Sequence, residues 1–441
     1  MQANTDLRSI SPQQLARMLR SAAIRRFWFI SDARSGRLRA SHSLLEPLAK
    51  SLEGDRRDFA GHEGLFFEIP LGQDILLGAF IHRTVRGQAA GGVRYWPYRT
   101  VEEYLRDGLR LSVGMTRKNA LAGLWWGGGK GVIARDAAAE SPEVRREVYR
   151  SYGAFISSLR GCYVTAEDVG TRPADMEQVF ACTRFTTCIP SALGGSGNPS
   201  IPTARGVVVG MEAALAFLGM GELRDKTVAV QGLGHVGAAL VGFLLARGVR
   251  KIVAADVDAD AVGRLIQAHH GAPLEARAVA AGDTTILETP CDLLAPCATG
   301  AILNARTIPR LKAHIVCGAA NNQLEDPVED DRRLAARGIS YVPDFLVNRM
   351  GIVTCADEQA GQVADDPLIE RHLTRDWSLS IYQSAQRVLA TAREGNEPPS
   401  QVATALADTL AAEPHPIFGH RGRQIIDSLV TRGWHTALDG E

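Results

Sequence analysis

Apolar residues follow two different periods along this chain, one typical of buried strands and one typical of amphipathic helices. Because the two kinds of segment alternate, the pattern predicts an α/β fold with a doubly wound parallel sheet. The predicted strands are Phe27–Ile30, Ile75–Ile81, Val132–Ala134, Tyr163–Ala166, Thr227–Gln231, Lys251–Ala255, Cys291–Cys297, Ala313–Cys317 and Ile339–Val342. Helices are predicted at Ser43–Leu52, from the capping box Thr100–Glu103, from Ser141–Pro142, from a cap at Thr203, and at Ala238–Ala246, Trp377–Val388 and Gln401–Leu410.

The segment Gly194–Pro199 interrupts this alternation with a high density of glycine and proline. Such a composition is typical of a linker or hinge, so it predicts a boundary between two domains. A chain of 441 residues is long enough for two or three domains, each with its own core.

A glycine-rich turn follows the predicted strand Thr227–Gln231. The turn Gly232–Gly237 has the spacing G-x-G-x-x-G, and Asp256 stands at the end of the next strand, nineteen positions after Gly237. Glycines at these positions admit a pyrophosphate to the N-terminus of the following helix, and Asp256 would bind ribose hydroxyls and repel a 2′-phosphate. The turn therefore predicts NAD rather than NADP as cofactor; the alternative is a βα turn that holds no nucleotide.

Two later strands end in loops of small polar residues, Ala298–Ala301 and Gly318–Asn322. Ligands of doubly wound sheets lie beyond the carboxyl ends of the strands. Thr299, Asn321 and Asn322 are therefore candidates to line the nicotinamide side, although such residues also serve in turns.

Two lysines stand twelve positions apart in the stretch Gly114–Gly131, and the second follows three consecutive glycines. The glycines are expected to turn tightly and to let a ligand approach. We expect Lys118 to hold a substrate carboxylate while Lys130, with a pKa lowered by burial beside a second cation, moves protons. A glycine turn with two solvated lysines is the alternative. Asp168, which follows the strand Tyr163–Ala166, is either a third site residue or a turn residue.

Composition excludes several other classes of protein. Lys plus Arg and Asp plus Glu both total 49, so net charge gives no general attraction to nucleic acid or membranes. The seven cysteines contain no C-x-x-C pair, and no apolar run forms a signal or a membrane span, which together predict a cytoplasmic protein with reduced thiols.

His415 and His420 could ligate a metal, but a packed tail is the simpler interpretation, and no metal is expected.

The motifs together resemble the glutamate/leucine/phenylalanine/valine dehydrogenase family, nearest its leucine and phenylalanine branch. They occur in family order from about residue 75 to 410, at Gly91–Arg94, Gly114–Lys130, Thr165–Gly170, Ser196–Pro199, Gly232–Gly237 and Gly318–Leu324. The resemblance implies an N-terminal α/β substrate domain and a Rossmann-type dinucleotide-binding domain that flank a cleft, in a homo-oligomer. The division expected is an extension over residues 1–60, a substrate domain over 61–198 completed by C-terminal helices within 375–441, and a dinucleotide-binding domain over 199–374.

The resemblance also implies a reaction, the reversible NAD-dependent oxidative deamination of an L-amino acid to a 2-oxo acid and ammonia. It implies that Lys118 binds the α-carboxylate, that Lys130 is the catalytic lysine, and that Asp168 handles protons at the amino group. Substrate contacts are expected from Lys118, Gly92, Ala90, Ala166, Ile352, Cys355 and Asn322. Cofactor contacts are expected from Thr203, Gly232, Leu233, Gly234, His235, Val236, Gly237, Asp256, Ala298, Thr299 and Asn321.

The substrate side chain is expected to be apolar. Glutamate-specific relatives carry a lysine where this chain has Ala90, and the implied side-chain pocket is otherwise small or apolar. The alternatives are an aromatic, tryptophan- or phenylalanine-type dehydrogenase of a biosynthetic pathway, for which Ala90 leaves room, and a homologue that binds NAD or an amino acid without catalysis. Arg349, in a position where relatives have a small residue, either pairs with a polar substrate or points away and fixes a loop.

Overall fold

Two β-sheets organise the computed structural model, which describes residues 6–32, 35–136, 141–361, 363 and 365–436. Residues 1–5 and 437–441, which belong to the predicted extension and the predicted C-terminal segment, lie outside this range. Among the described helices, none combines the length and the apolar character needed to cross a membrane.

The first sheet has seven strands within the described residues, in the order β2-β1-β3-β4-β6-β5-β7. From β2 through β1, β3 and β4 to β6 each strand is antiparallel to the next, whereas β5 is parallel to both β6 and β7. The strands are β1 (Arg26–Ser31), β2 (Leu38–Ala40), β3 (Gly64–Glu68), β4 (Leu77–Arg83), β5 (Ala89–Trp96), β6 (Gly127–Ala134) and β7 (Tyr163–Glu167). Strands from both sides of residue 60 thus share one sheet, and the domain boundary drawn there stays a prediction.

The second sheet has six parallel strands in the described part of the chain, in the order β10-β9-β8-β11-β12-β13. They are β8 (Thr227–Gln231), β9 (Lys251–Asp256), β10 (Leu274–Ala278), β11 (Cys291–Pro296), β12 (Ala313–Val316) and β13 (Ser340–Tyr341). The order reverses between β8 and β11, as a doubly wound sheet requires, so the predicted fold class is confirmed.

Helices cover both sheets and connect them. They are α1 (Pro12–Ser21), α2 (Glu46–Glu53), α3 (Val101–Leu121), α4 (Pro142–Ser158), α5 (Pro173–Phe180), α6 (Ser200–Phe217), α7 (His235–Ala246), α8 (Ala259–Ala268), α9 (Glu329–Ala336), α10 (Asp344–Val347), α11 (Met350–Ala360), α12 (Pro367–Glu370), α13 (Ile381–Gly395), α14 (Pro399–Ala411) and α15 (Arg421–Thr431). Short 3-10 turns lie at Ser43–Leu45, Ser191–Leu193, Thr285–Glu288, Ile308–Arg310 and Arg371–Leu373.

Two local predictions were wrong. Thr203 does not cap α6, because the helix begins at Ser200 and the hydroxyl of Thr203 donates to the carbonyl of Pro199 at 2.8 Å within the first turn. The three glycines before Lys130 do not form a turn but lie in strand β6.

Close packing, rather than turning, explains these glycines. A Cβ on Gly128 would stand 1.9 Å from Oγ1 of Thr116 on α3, and a Cβ on Gly127 would stand 2.0 Å from the carbonyl oxygen of Arg83. Strand β6 therefore contacts α3 and β4 more closely than any side chain permits. This contact fixes the strand that carries Lys130 against the helix that carries Lys118.

Helix α11 connects the two halves of the molecule. We call the buried cluster around Ala90, Ala166 and Phe155 the first-sheet core, and the cluster around Val207, Val228 and Leu293 the second-sheet core. Ile352 and Cys355 of α11 lie in the first-sheet core, and Met350 and Val353 lie in the second-sheet core. Among the C-terminal helices, α13 and α14 contribute to the second-sheet core and α15 to the first-sheet core.

Candidate active site

Lys130 and Asp168 form an ion pair across the end of strand β5. Lys130 lies on β6 and Asp168 directly follows β7, and β5 runs between these two strands. The distance from Nζ of Lys130 to Oδ2 of Asp168 is 2.7 Å, and only 3% and 15% of the two side chains are exposed. The first sheet thus holds an ammonium and a carboxylate in hydrogen-bonding contact at a protected position.

Arg94 is a third charged group at this position. Its Nε donates to Oδ2 of Asp168 at 3.3 Å, and its Nη1 donates to both carboxylate oxygens of Asp107 at 2.9 and 3.0 Å. Asp107 also accepts a hydrogen bond from the hydroxyl of Tyr98 at 2.5 Å. The sequence analysis assigned no role to Arg94 although it ends the motif Gly91–Arg94, and the structure shows that it fixes the carboxylate of Asp168.

Lys118 lies in the last turn of α3, the helix predicted from the capping box Thr100–Glu103. Its Nζ donates to Oδ1 of Asn321 at 3.3 Å, and the same oxygen accepts a hydrogen bond from Nδ2 of Asn348 at 2.9 Å. Because Asn321 follows β12 of the second sheet, this contact joins the two halves of the molecule. Asn348, which the sequence analysis did not assign, holds the amide of Asn321 in place.

Burial and neighbouring charges set the protonation of this cluster. Burial lowers the pKa of Lys118 to about 8, and the carboxylate of Asp344 offsets part of this effect. Burial also lowers the pKa of Lys130, against the opposing effect of Asp168. For Asp168, burial acts to raise the pKa, but Lys130 and Arg94 outweigh it and hold the pKa well below its usual range. Asp168 is therefore ionised in the resting site, and both lysines release protons more readily than lysines in water do.

A cavity of about 630 Å³ lies between the two halves. Both lysines line it together with Met115, Asn321 and Asn322. The backbone N–H of Asn322 donates to Oδ2 of Asp344 at 2.8 Å, which fixes the loop at the mouth of the cavity. The volume is sufficient for a small organic substrate beside part of a cofactor.

Small and apolar residues pack beside the ion pair. Ala90, Ala166, Ile352 and Cys355 are buried in the first-sheet core. A Cβ on Gly92 would stand 2.7 Å from the Cβ of Asp168 and 2.5 Å from the carbonyl oxygen of Glu167, so glycine is required for Asp168 to occupy its place. The assignment of these residues to a substrate side-chain pocket stays a prediction.

The glycine-rich turn leaves the N-terminus of α7 open. Gly232 has a φ of 96°, and a Cβ there would stand 2.8 Å from the backbone nitrogen of Ala298. A Cβ on Gly237 would stand 2.0 Å from the carbonyl oxygen of Gly232, whereas Gly234, the N-cap of α7, has nothing within 4 Å of its Cβ position. The turn is therefore packed closely at Gly232 and Gly237 and open at Gly234. This leaves space for an anion at the N-terminus of α7.

Asp256 faces this turn from the end of β9. Its Oδ2 accepts a hydrogen bond from the backbone N–H of Leu233 at 2.5 Å, and its Oδ1 accepts one from the N–H of Asp258 at 2.8 Å. His235 and Val236 are the first residues of α7. These residues fit the dinucleotide predicted from the sequence, with the helix N-terminus beside an acceptor for ribose hydroxyls.

The loops after β11 and β12 lie in contact. A Cβ on Gly300 would stand 2.7 Å from the carbonyl oxygen of Asn321, and the N–H of Ala301 donates to the carbonyl of Asn322 at 2.7 Å. Thr299 and Ala298 are exposed on the first of these loops. Thr203 lies elsewhere, against Gly351 in the first turn of α6, and its role as a cofactor contact stays a prediction.

Arg349 points away from the cavity. Its guanidinium is completely buried and donates to the carbonyl of Leu121 at 2.6 Å, at the end of α3, and to the carbonyl of Leu379. Burial lowers the pKa of Arg349 to about 9. Of the two interpretations of this residue, the structure shows the one in which it fixes a loop.

The segment around His415 is packed against the body of the protein. Nδ1 of His415 accepts hydrogen bonds from the backbone N–H groups of Ile417 and Phe418, both at 3.0 Å. Its ring lies 5.4 Å from that of Trp125, centroid to centroid. The imidazole therefore serves as a cap for its own turn.

Comparison with known proteins gives consistent matches over most of the chain. Residues 76–185 match the family model "Glu/Leu/Phe/Val dehydrogenase, dimerisation domain", and residues 194–413 match "Glutamate/Leucine/Phenylalanine/Valine dehydrogenase". A leucine dehydrogenase of Geobacillus stearothermophilus is 41% identical over 330 residues, 74% of this chain and 84% of that protein. A valine dehydrogenase of Streptomyces albus is 42% identical over 362 residues, 81% of this chain and 94% of that protein.

Among solved structures, the fold is similar to that of an L-tryptophan dehydrogenase from Nostoc punctiforme. The TM-score is 0.62 and the sequence identity 31%, and the match covers 83% of this chain and 98% of that one. The similarity therefore extends over both sheets.

Proposed function

The chain belongs to the glutamate/leucine/phenylalanine/valine dehydrogenase family and is an amino acid dehydrogenase, an oxidoreductase acting on CH–NH2 groups; we propose that it deaminates apolar L-amino acids with NAD. The products are a 2-oxo acid and ammonia, and the reaction runs in both directions. The observation that carries the proposal is the 2.7 Å ion pair between Lys130 and Asp168, whose lysine lines one cavity together with Lys118.

Lys118 binds the substrate α-carboxylate. Its ammonium lines the cavity and donates to the neutral oxygen of Asn321 at 3.3 Å. An ionised carboxylate is a stronger acceptor than an amide oxygen, because charge-assisted hydrogen bonds are shorter and stronger. A substrate carboxylate is therefore the preferred acceptor for this ammonium, and binding there orients Cα toward Lys130.

Lys130 and Asp168 move protons at Cα and at the amino group. With its lowered pKa, Lys130 can accept a proton from the water that adds to the imine carbon. Asp168, ionised in the resting site, orients this ammonium, and by transient protonation it relays protons as ammonia leaves. Arg94 keeps the carboxylate of Asp168 in line with Lys130 and prevents it from rotating away.

NAD fits the second sheet. The N-terminus of α7 would hold the pyrophosphate, and Asp256 would accept hydrogen bonds from the adenosine ribose, which disfavours a 2′-phosphate. When bound, the nicotinamide ring supplies the hydride acceptor for Cα. Asn321 and Thr299 stand on the loops after β12 and β11, where the nicotinamide half would lie.

The substrate side chain lies against small and apolar residues. Ala90 occupies the position of the lysine that glutamate-specific relatives use, so a buried glutamate side chain would lack a partner for its charge. The relatives named for leucine and valine support an aliphatic substrate. An aromatic substrate is the second candidate, because Ala90 is small and the similar structure is that of a tryptophan dehydrogenase.

A homologue without catalysis is a third candidate, which the intact charge cluster disfavours. The buried ion pair of Lys130 and Asp168 carries a desolvation cost in free energy, which argues for a functional reason to retain it. The family model for residues 76–185 is named a dimerisation domain, and we include a homo-oligomer in the proposal.

Substrate-dependent formation of NADH tests the proposal directly. A panel of L-leucine, L-valine, L-phenylalanine, L-tryptophan and L-glutamate is supplied to the full-length enzyme with NAD. We expect turnover of apolar amino acids and a loss of about 10³-fold in kcat for Lys130→Ala. Turnover of glutamate alone would contradict the argument from Ala90, and full activity of Lys130→Ala would remove this lysine from the mechanism.

A further inference from the structure

Two cysteines far apart in sequence meet beside the site. Sγ of Cys188 and Sγ of Cys355 are 3.1 Å apart, and both side chains are buried. Because a disulfide bond measures about 2.05 Å, the two sulfur atoms would need to approach by only about 1 Å to form one. Both residues are free thiols in this structure.

Glu358 holds the two segments that carry these sulfurs. It stands on α11 one turn after Cys355, and its carboxylate accepts hydrogen bonds from the backbone N–H groups of Cys188 at 2.7 Å and Ile189 at 3.3 Å. Ser196 donates to the same carboxylate from its N–H at 2.9 Å and from its hydroxyl at 2.5 Å. The loop around Cys188 is therefore fixed against α11, and the short distance between the sulfurs is built into the fold.

The backbone of Cys188 adopts an unusual conformation. Its φ is 61°, in the left-handed region that residues with a side chain rarely adopt. Such a conformation costs about 1–3 kcal/mol and persists only where the surroundings impose it. Here the bond to Glu358, together with the bond from the N–H of Thr187 to the carbonyl of Thr165 at 2.9 Å, imposes it and directs the thiol toward Cys355.

The position of the pair gives it a functional consequence. Cys355 and Ile352 stand on the same face of α11, in the first-sheet core beside Ala166, while Met350 and Val353 pack in the second-sheet core. A covalent link between Cys355 and Cys188 would tie this connecting helix to the segment that follows α5. To the hydrogen bonds of Glu358, which can open, it would add a bond that does not, and would thereby restrict movement of one half of the molecule against the other and narrow the substrate pocket.

We propose that Cys188 and Cys355 form a reversible disulfide when the enzyme meets a peroxide, and that the oxidised enzyme is inactive. One thiol loses its proton and attacks a peroxide oxygen to become a sulfenic acid, while the O–O bond breaks and the departing hydroxide takes up that proton and leaves as water. The second thiol then attacks the sulfenic sulfur, an S–S bond forms and a second water leaves. Two thiols and one hydrogen peroxide thus give one disulfide and two waters, and a dithiol reductant reverses the oxidation.

Thiol counting and peptide mapping of the full-length wild-type enzyme test the modification without reference to activity. After treatment with hydrogen peroxide, two of the seven thiols are expected to disappear, and a non-reducing digest is expected to contain a peptide that joins Cys188 to Cys355. Unchanged thiols, or a peptide that joins other cysteines, would overturn the proposal. This readout does not depend on the proposed function, so the two can fail separately.

Activity measurements test the consequence. Peroxide is expected to lower wild-type turnover by about tenfold, with recovery in dithiothreitol, because the link blocks the movement of the two halves. Cys188→Ser and Cys188→Ala should keep the basal activity and resist peroxide, whereas Cys162→Ala, a change at another buried cysteine, should stay sensitive. If the Cys188 variants lost activity to peroxide as the wild type does, the proposed disulfide switch would be refuted. A melting temperature measured for each variant identifies any that fail to fold.

Discussion

Arg94 donates from Nε to Oδ2 of Asp168 at 3.3 Å, the same oxygen that the ammonium of Lys130 contacts. One carboxylate oxygen therefore lies between two cations. The guanidinium has a second anchor in Asp107, so it stays in place when the ammonium gains or loses a proton. Asp168 and Arg94 act on the pKa of Lys130 in opposite directions, the carboxylate raising it and the guanidinium lowering it.

Asp168→Asn and Arg94→Met should shift the pH profile of deamination in opposite directions. Without the carboxylate the pKa of Lys130 falls further, so the rising limb of kcat/KM moves to lower pH. Without the guanidinium the pKa of Lys130 rises, and the limb moves to higher pH. The maximum should fall by about 10²–10⁴-fold for Asp168→Asn, since the proton relay is lost.

Initial rates with an amino acid of the panel held well below its KM, measured across pH 7–10, follow kcat/KM and report these shifts, on the order of one unit each. Arg99→Met, a change at an exposed arginine paired with Glu103, is the control and should leave the profile in place. Shifts in the same direction would show that Lys130 is not the group observed.

The KM of a 2-oxo acid should rise at alkaline pH. The pKa of Lys118 is lowered to about 8, so this lysine loses its charge above that pH while the substrate carboxylate stays ionised. We expect KM to increase about tenfold per pH unit above the pKa. Reductive amination of 4-methyl-2-oxopentanoate at saturating ammonia measures it, and Lys118→Met should raise KM at every pH and flatten the profile. A flat profile in the wild type would count against Lys118 as the carboxylate ligand.

Asp256→Ala should weaken the preference for NAD over NADP. The carboxylate accepts hydrogen bonds in the turn and repels a 2′-phosphate, and a charged hydrogen bond contributes about 1.5–3 kcal/mol. The efficiency kcat/KM with NAD is therefore expected to fall about 10- to 100-fold, while that with NADP rises or stays constant. Asp260→Ala changes an exposed acid on the next helix and should alter neither value. An unchanged ratio for Asp256→Ala would place the ribose elsewhere.

Arg349→Ala should destabilise the fold. The guanidinium is completely buried and satisfies the carbonyls of Leu121 and Leu379, so its loss leaves a cavity and two carbonyls without donors. The free energy of unfolding is expected to fall by about 3 kcal/mol, and Arg349→Met, which fills the volume alone, should lose less. Urea unfolding followed by tryptophan fluorescence measures both. Arg264→Ala, at an exposed arginine of α8, should change the free energy of unfolding by at most about 0.5 kcal/mol. An equally small change for Arg349→Ala would contradict a structural role for its hydrogen bonds to Leu121 and Leu379.

Gly128→Ala should separate β6 from α3. Its new Cβ would lie 1.9 Å from Oγ1 and 2.3 Å from the backbone nitrogen of Thr116, so the strand with Lys130 must move away from the helix with Lys118. We expect a loss of about 1–3 kcal/mol in stability and of about 10²-fold in kcat. Gly263→Ala, with nothing within 4 Å on helix α8, should instead stabilise the protein by up to about 1 kcal/mol. Equal behaviour of the two variants would refute the packing argument.

Some of these features were visible in the sequence and others were not. Lys118, Lys130 and the turn at Gly232 stand out in the sequence because their local spacing is distinctive, and the structure places both lysines on one cavity. The partnership of Arg94 with Asp168 was not, since it joins residues 74 positions apart through strand pairing that one sequence does not encode locally. Strand β10 was missed because, at the edge of the second sheet, it is largely exposed and has no apolar run.

The glycines before Lys130 show a different limit. A turn and a close contact both require the absence of a side chain, so the residue type alone does not distinguish them. Only the neighbouring atoms, Thr116 and Arg83, decide the case in favour of contact.

Because Lys118 already donates to Asn321, a ligand that binds this lysine competes with the amide oxygen of Asn321 as a hydrogen-bond acceptor. In this structure the ammonium of Lys118 already donates to the neutral amide oxygen of Asn321, and Asn348 holds that oxygen in position. An incoming ligand must therefore offer more than an uncharged oxygen can. An amino acid ester or amide would offer no more than Asn321 does, and so Lys118, in its proposed role, would select for a free acid before any contact with the side chain is made.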